Sequence, residues 1–263
     1  MGPPPTGRIE LGSAVLARIR EAEATFLAAA VAYYAFVSLL PLFVLIVVVG
    51  TALAGEAVAG IVVDRVATVL SPSGRSLVRE ALTARSGRGG TGLVGTVVLA
   101  WGALKVVRGL DRAVGRVYGT NGDGSLFRTA GKAALTLGVG AAAAVVTVAV
   151  ASAIRVLAGP IGVLATLGLP AVLVVTFVPL YVLLPNVAVP VRDALPGAVL
   201  AAVGWTLLGA TFGIYAALAG TSLYGILGAA LLLVTWLYLG ALILIVGAAV
   251  NAVLTGRPHP EPR

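Results

Sequence analysis

The residue types that could support catalysis or bind a metal are scarce in this chain. There is no cysteine, which excludes disulfides, iron–sulfur clusters, thiolate zinc sites and cysteine nucleophiles. The single histidine, His259, belongs to the polar stretch RPHPEPR, where it has no partner for acid–base or metal chemistry. The ten acidic residues fall in predicted loops, interfacial helices and tails, without a pair for acid–base work or metal binding. We therefore expect no enzyme activity, catalytic residue, metal site or cofactor.

The polar residues within the apolar stretches are hydroxyl, amide and aromatic, and several lie near prolines. Ser38 lies three residues before Pro41 in the first apolar run. Asn186 follows Pro179 and Pro185. A proline leaves the carbonyl four residues before it without its usual hydrogen bond, so inside a bilayer a hydroxyl, an amide or a neighbouring helix must satisfy that group. Two such interrupted segments would form a polar cavity if they faced each other.

We interpret these segments as the walls of a neutral cavity for an amphiphilic or uncharged substrate. The alternative is that these residues only mediate helix packing and interfacial anchoring. No charged residue or histidine occupies a predicted span centre, which disfavours proton-coupled or metal-coupled transport but leaves open a sodium site built from carbonyls and hydroxyls. The predicted cavity residues are Tyr34, Ser38, Pro41, Pro179, Pro185, Asn186, Tyr224 and Asn251.

A second candidate site is the row of basic residues in KVVRGLDRAVGR, namely Lys105, Arg108, Arg112 and Arg116. On a helix these four share an arc of about 80°, whereas Asp111 points away. We call them the basic stripe. Such a stripe suits anionic lipid headgroups, since each basic residue near a charged leaflet contributes about 1 kcal/mol. The alternative is the ordinary enrichment of Lys and Arg at cytoplasmic span ends. Nucleic-acid binding is not expected, because the stripe lacks interleaved aromatic residues and a recognition module.

Membrane-spanning helices must position both sites. The chain is 59% hydrophobic and 11% charged, with a mean hydropathy of +1.07, whereas soluble domains contain about 25% charged residues. The expected fold class is therefore all-α: a polytopic helical membrane protein forming a single domain over residues 1–263. An interfacial N-terminal helix is predicted at 8–26 and an amphipathic extramembrane hairpin at 56–85. Six transmembrane helices are predicted at 27–54, 89–107, 133–154, 162–184, 195–218 and 223–254, the second continuing past the membrane through the basic stripe.

The distribution of basic residues predicts the orientation. With both termini inside, twelve of the eighteen Lys and Arg residues lie on the cytoplasmic side. The hairpin would then face outward, although residues 55–90, which contain it, carry five arginines. The N-terminal leader MGPPPTG lacks the basic region of a cleavable signal, so the first span is expected to be retained.

Four stretches of the chain resemble the YihY/BrkB family of six-span membrane proteins, once labelled ribonuclease BN. They are AAAVAYYAFVSLLPL (28–42), WGALKVVRGLDRAVGRVY (101–118), LLPNVAVPVRDALPGAVLAAVGW (183–205) and YGILGAALLLVTWLYLGALILIVGAAVNAVL (224–254). The resemblance implies a cytoplasmic-membrane protein with a transport or envelope role. One position departs from the family pattern: Ala249 stands where the closing Gly-Ala-Glu-x-Asn-Ala motif commonly has its acid. A mechanism that needs this carboxylate is not expected here.

Residues and resemblance together predict a non-enzymatic membrane protein that translocates or manages lipid or another amphiphile, with membrane lipids as its partners. Two alternatives remain open at this point. One is a structural or scaffold protein that organises envelope protein partners, and the other is a small-solute permease.

Overall fold

The computed structural model describes residues 8–39, 90–120, 160–219 and 225–256, together with Gly131 and Gly138. No strand occurs in these residues, so the expected all-α fold is confirmed for them. The predicted hairpin at 56–85, nearly all of the predicted span at 133–154, Pro41 and Tyr224 lie outside the described residues. Six helices are described: α1 (Arg8–Glu21), α2 (Ala24–Leu39), α3 (Gly90–Val117), α4 (Pro160–Leu183), α5 (Val191–Ala219) and α6 (Gly225–Leu254).

Two of the described helices are long and apolar enough to cross a bilayer. They contain the segments Val191–Tyr215 of α5 and Ala230–Leu254 of α6, each 25 residues long. At 1.5 Å per residue such a segment extends about 37 Å, more than the ~30 Å hydrocarbon core. Helices α1 and α2 meet the same criterion only as a pair, with a bend of 58° between them. These helices have the composition of a membrane protein, and the full set of six spans stays a prediction.

Helices α4, α5 and α6 pack together through small side chains and through aromatic rings in tilted and edge-on contacts. On α5, Ala194, Ala198, Ala201 and Ala202 are fully buried. Lipid tails are as apolar as leucine, so helix association in a membrane depends on close contact between small residues more than on the hydrophobic effect. Toward the middle of the helices, the Trp205 ring lies 5.9 Å from that of Phe177 on α4 and 5.1 Å from that of Trp236 on α6.

Helices α2 and α3 run antiparallel. Residue numbers increase along α2 and decrease along α3 in their successive contacts. Glu23, just before α2, contacts Arg116, Val31 contacts Gly109, and Tyr34 contacts Lys105. Gly109 lets the helices approach, because a Cβ there would lie 2.8 Å from Cγ2 of Val31. Helix α6 contacts both α1 and α3. The group of α4, α5 and α6 and the group of α1, α2 and α3 therefore form one bundle.

The helix predicted at 8–26 is divided by a corner at Ala22 and Glu23. Glu23 adopts a left-handed backbone conformation with φ of 50°, which costs a non-glycine residue roughly 1–2 kcal/mol. Its N–H donates to the carbonyl of Arg20 at 3.0 Å, and its own carbonyl accepts from Leu27 at 3.1 Å. The Glu23 carboxylate forms an ion pair with Arg116 of α3. The corner between α1 and α2 therefore has a strained backbone, and its Glu23 side chain contacts a helix distant in the sequence.

The strain at Glu23 can be separated from the ion pair with two substitutions. Glu23→Ala removes the ion pair and keeps a side chain in the left-handed conformation, whereas Glu23→Gly removes the ion pair and relieves the strain. We expect the glycine variant to be more stable than the alanine variant by about 1 kcal/mol. Thermal unfolding in detergent would measure the difference, with Arg116→Gln showing the effect of the ion pair alone. Equal stability of the two Glu23 variants would contradict a strained corner.

Candidate functional site

A cleft of about 310 Å³ lies between α2 and α6. This volume is at the lower end of the ~300–1,000 Å³ found for small-molecule sites. Among the described residues no charged side chain lines the cleft, and the hydroxyl of Thr235 donates to the carbonyl of Leu231 in its own helix at 2.8 Å. The cleft is thus suited to an apolar guest. Its lining residues are Ala29, Ala32, Tyr33, Phe36, Val234, Thr235 and Tyr238.

The spacing of small and aromatic residues on α2 produces this cleft. Ala29, Ala32, Tyr33 and Phe36 follow the helical repeat and share one face, so two alanines leave a hollow beside two aromatic rings. The Tyr33 ring meets the Tyr34 ring edge-on, with centroids 5.5 Å apart. Tyr33 is 61% exposed, and Thr235 is exposed as well. The cleft therefore opens at the surface of the bundle.

Helices α5 and α6 come into backbone contact at Gly197 and Gly247. A Cβ on Gly197 would collide with the carbonyl oxygen of Gly247. A Cβ on Gly247 would lie 2.7 Å from the carbonyl oxygen of Gly197 and would collide with the hydroxyl of Tyr181. Any side chain at either position would push the helices apart.

Asn251 joins α6 to the first turns of α5. The residue is fully buried. Its Oδ1 accepts a hydrogen bond from the N–H of Gly197 at 2.6 Å, and its Nδ2 donates to the carbonyl of Ala194 at 3.1 Å. Pro196, between these two residues, has no N–H and disturbs the hydrogen bonding of its turn. The amide therefore satisfies backbone groups in a region where water is scarce.

Two backbone carbonyls of α6 accept hydrogen bonds from side chains of the neighbouring helices. The buried hydroxyl of Tyr181 on α4 donates to the carbonyl of Leu244 at 2.9 Å. The indole N–H of Trp205 on α5 donates to the carbonyl of Gly240 at 3.1 Å. A carbonyl oxygen has two lone pairs, so it can accept such a bond and still serve its own helix. Tyr181 and Trp205 thus fix the positions of α4 and α5 along α6.

The predicted cavity residues are distributed over several places. On α2 the Ser38 hydroxyl donates to the carbonyl of Tyr34 at 2.6 Å. Pro179 lies within α4, while Pro185 is buried and Asn186 exposed in the turn after it. None of the described members lines the cleft between α2 and α6, so a cavity shared by them stays a prediction. Sequence reasoning missed the cleft because its alanines and aromatic residues carry no polar signal.

The members of the basic stripe have different surroundings. The ammonium of Lys105 lies 5.2 Å from the ring centroid of Trp101 and 5.7 Å from that of Tyr34. Arg116 pairs with Glu23. Arg108 is half-buried and Arg112 is exposed, and neither forms a hydrogen bond or ion pair with the part of the chain that the structure describes. Two of the four cations are therefore engaged within the protein and two are available.

Arg18 of α1 occupies the C-terminal end of α3. After α3 the N–H of Gly119, with φ of 68°, donates to the carbonyl of Arg116, and the N–H of Thr120 donates to that of Gly115. This is the Schellman pattern of helix ends. The guanidinium Nη1 of Arg18 donates at 3.0 Å to the remaining carbonyl, that of Val117. The sequence assigns Arg18 to the polar face of α1, but the structure buries it, with only 2% exposed.

Buried helix contacts made by glycine and neutral hydrogen bonds, on helices long enough to cross a bilayer, define a polytopic helical membrane protein. The family model described as Virulence factor BrkB matches residues 15–263. The chain therefore belongs to the BrkB family, and the predicted YihY/BrkB membership is confirmed. Ala249, where the resemblance implies an acid in the family, is fully buried on α6.

The chain is also similar to two named proteins over part of its length. It is 36% identical over 90 residues to YfkH, a protein of Bacillus subtilis (strain 168) named as ribonuclease-like; the match covers 34% of this chain and 33% of YfkH. It is 40% identical over 93 residues to a UPF0761 membrane protein of Azotobacter vinelandii (strain DJ / ATCC BAA-1303), covering 33% of this chain and 23% of that protein. The chain thus spans a third or less of the length of these relatives. No solved structure matches it.

The contact at Gly197 can be tested against two glycines on the same helix. Gly197→Ala would place a methyl group against the backbone of α6, and such overpacking costs typically 1–3 kcal/mol. Gly209 and Gly213 of α5 have open space where a Cβ would stand. Gly209→Ala and Gly213→Ala should therefore be neutral or stabilising by up to about 1 kcal/mol. Thermal unfolding in detergent would compare the three, and a Gly197→Ala variant as stable as the other two would contradict the close approach.

The role of Arg18 can be tested with two substitutions and one control. Arg18→Leu leaves the carbonyl of Val117 without its cationic donor, which should destabilise the protein by about 1–3 kcal/mol. Arg18→Lys keeps a positive charge near the helix C-terminus and should lose less. Arg20→Leu changes an exposed arginine of the same helix and should change stability little. If both leucine variants unfold at the same temperature, the Arg18 contact does not stabilise the fold.

Proposed function

We propose that this protein is a non-enzymatic membrane protein that binds and translocates, or otherwise handles, a lipid or another amphiphile. The cleft between α2 and α6 carries this proposal. It is open at the bundle surface, its volume is that of a small-ligand site, and its walls are alanine, valine and aromatic rings with three hydroxyls. In a membrane protein, such an opening faces acyl chains before any other ligand.

The chemistry of the walls favours an acyl chain over a charged or strongly polar guest. A charged group placed against these residues would lose its water without gaining a partner, which is strongly unfavourable. An acyl chain would exchange contacts with other lipid tails for contacts with the walls, without any loss of hydration. The aromatic pair Tyr33 and Tyr34 lies on α2, which packs against the helix that carries the basic stripe, so a polar region lies close to an apolar one. An amphiphile requires this combination.

The wider setting of the proposal comes from the sequence. We propose a six-span protein of the cytoplasmic membrane with both termini inside, which the distribution of Lys and Arg supports. The non-enzymatic part rests on residue types, since the chain has no cysteine, a single histidine and no paired carboxylates in its apolar segments. The name ribonuclease-like belongs to YfkH, and this sequence offers no residue set for phosphodiester hydrolysis.

Filling the cleft should reduce lipid binding. Ala29→Phe places a ring in the hollow between Tyr33 and Phe36, whereas Ala210→Phe adds the same ring at an exposed position of α5. We expect Ala29→Phe to lower the phospholipid retained after purification from native membranes severalfold, and Ala210→Phe to leave it unchanged. Mass spectrometry of the intact protein would count the bound lipids.

Reconstituted vesicles extend the test to movement. Wild-type protein should speed the transfer of a fluorescently labelled phospholipid between leaflets, and Ala29→Phe should slow this transfer toward the protein-free rate. Equal lipid retention by the Ala29 and Ala210 variants would remove the cleft as the binding site. Lipid binding without accelerated transfer would favour the structural or scaffold role instead.

A further inference from the structure

We propose that Arg108 and Arg112 together bind the phosphate of an anionic phospholipid headgroup, and that Lys105 and Arg116 do not take part. This inference rests on the proposed lipid function and specifies the headgroup class. The four cations are equivalent in the sequence pattern. Their contacts in the structure separate them.

Lys105 and Arg116 are already engaged within the protein. The Lys105 ammonium lies over the rings of Trp101 and Tyr34, and such cation–π contacts contribute roughly 0.5–2 kcal/mol. Moving this ammonium to a headgroup would sacrifice both contacts. Arg116 forms its ion pair with Glu23, at the strained corner between α1 and α2. A phosphate would have to displace a carboxylate that the chain itself holds in place.

Arg108 and Arg112 have the geometry of a two-pronged anion site. They are four residues apart on α3, so their side chains are neighbours on one face, separated by about 6 Å along the axis. Two like charges at this spacing repel each other, and an anion between them removes the repulsion. The planar guanidinium group offers paired donors that match phosphate oxygens. With no partner among the described residues, the two groups are free to converge on one phosphate.

Their position along α3 points to a lipid headgroup as the source of this phosphate. On one side lies Trp101, an exposed aromatic residue of the kind that sits at headgroup level. On the other side lies Val117, where Arg18 of α1 is bound. Helix α1 exposes Ile9 and Leu16 seven residues apart on one face, as helices that lie in the membrane interface do. Arg108 and Arg112 fall between these two interfacial markers.

The same level of the bundle contains the start of the cleft. The antiparallel contacts of α2 and α3 join Glu23 to Arg116 and Tyr34 to Lys105. Arg108 and Arg112 therefore lie beside the stretch of α2 between Glu23 and Tyr34, which contains Ala29 and Ala32 of the cleft wall. A headgroup on α3 would therefore lie beside the start of the cleft, and its acyl chain could extend along α2 toward Phe36.

The test compares two double variants that remove the same charge from the same helix. R108Q/R112Q removes the proposed site, and K105Q/R116Q removes the two engaged cations. Full-length protein in detergent would be titrated with phosphatidylglycerol and, separately, with phosphatidylcholine, and the bound lipids counted by native mass spectrometry. We expect R108Q/R112Q to weaken phosphatidylglycerol binding at least about tenfold. K105Q/R116Q should change it less than about twofold. Phosphatidylcholine has the same phosphate with a choline cation beside it, so R108Q/R112Q should weaken its binding less than that of phosphatidylglycerol.

A loss of similar size in both double variants would overturn the proposal, because net charge alone would then account for lipid retention. Unchanged binding in R108Q/R112Q would overturn it as well. Thermal unfolding shows whether each variant is folded. R108K/R112K provides a second comparison, since it keeps both charges without the guanidinium forks. This variant should bind phosphatidylglycerol more tightly than R108Q/R112Q, and binding as weak as that of R108Q/R112Q would contradict a charge-based headgroup site.

The outcome is distinguishable from that of the cleft proposal. Ala29→Phe should reduce the binding of both lipids and keep the preference for phosphatidylglycerol, because it changes the apolar wall only. R108Q/R112Q should remove the preference for phosphatidylglycerol, because it leaves the apolar wall unchanged. If the headgroup prediction fails, the cleft proposal can still be tested with Ala29→Phe, and the reverse also holds.

Discussion

The backbone contact between α5 and α6 is the constraint on which the other helix contacts of the bundle depend. Because Gly197 and Gly247 place no side chain between the helices, the amide of Asn251 reaches the peptide groups on both sides of Pro196. The absence of a side chain at Gly247 also leaves room for the hydroxyl of Tyr181, which donates to the carbonyl of Leu244. In surroundings without water, a backbone group that lost such a partner would find no other. Close packing at these glycines is therefore also what allows the buried backbone groups to find hydrogen-bond partners.

Much of the fold follows from periodicity in the sequence, as α3 illustrates. Apolar residues before Lys105 and a basic face after it predict a helix that continues past the membrane, and α3 runs without a break to Val117. The corner between α1 and α2 could not be predicted in this way. The sequence RIREAEATF contains no glycine or proline, and the partner of the left-handed Glu23 is Arg116, 93 residues away. A tertiary contact of this kind leaves no pattern in the local sequence from which the corner could be predicted.

The candidate sites show the same division. Asn251 and the basic stripe stand out in the sequence because polar residues are rare in apolar segments and because four cations share one helical face. Which atoms of Asn251 are used, and which cations are engaged, depends on helices that the sequence does not place. The cleft shows the reverse case: Ala29 and Ala32 are unremarkable alone, and they matter only because Val234 and Tyr238 face them across a gap.

The two glycines at the α5–α6 contact also have an evolutionary consequence. Each carbonyl oxygen occupies the space where the side chain of the opposite residue would grow. A first substitution at either position must separate the helices, and once they are apart a second substitution opposite it adds little further cost. Lineages of this family should therefore keep both glycines together or lose both together. Where the pair is lost, the residues equivalent to Asn251 and Tyr181 are freed from their partners and should vary as well.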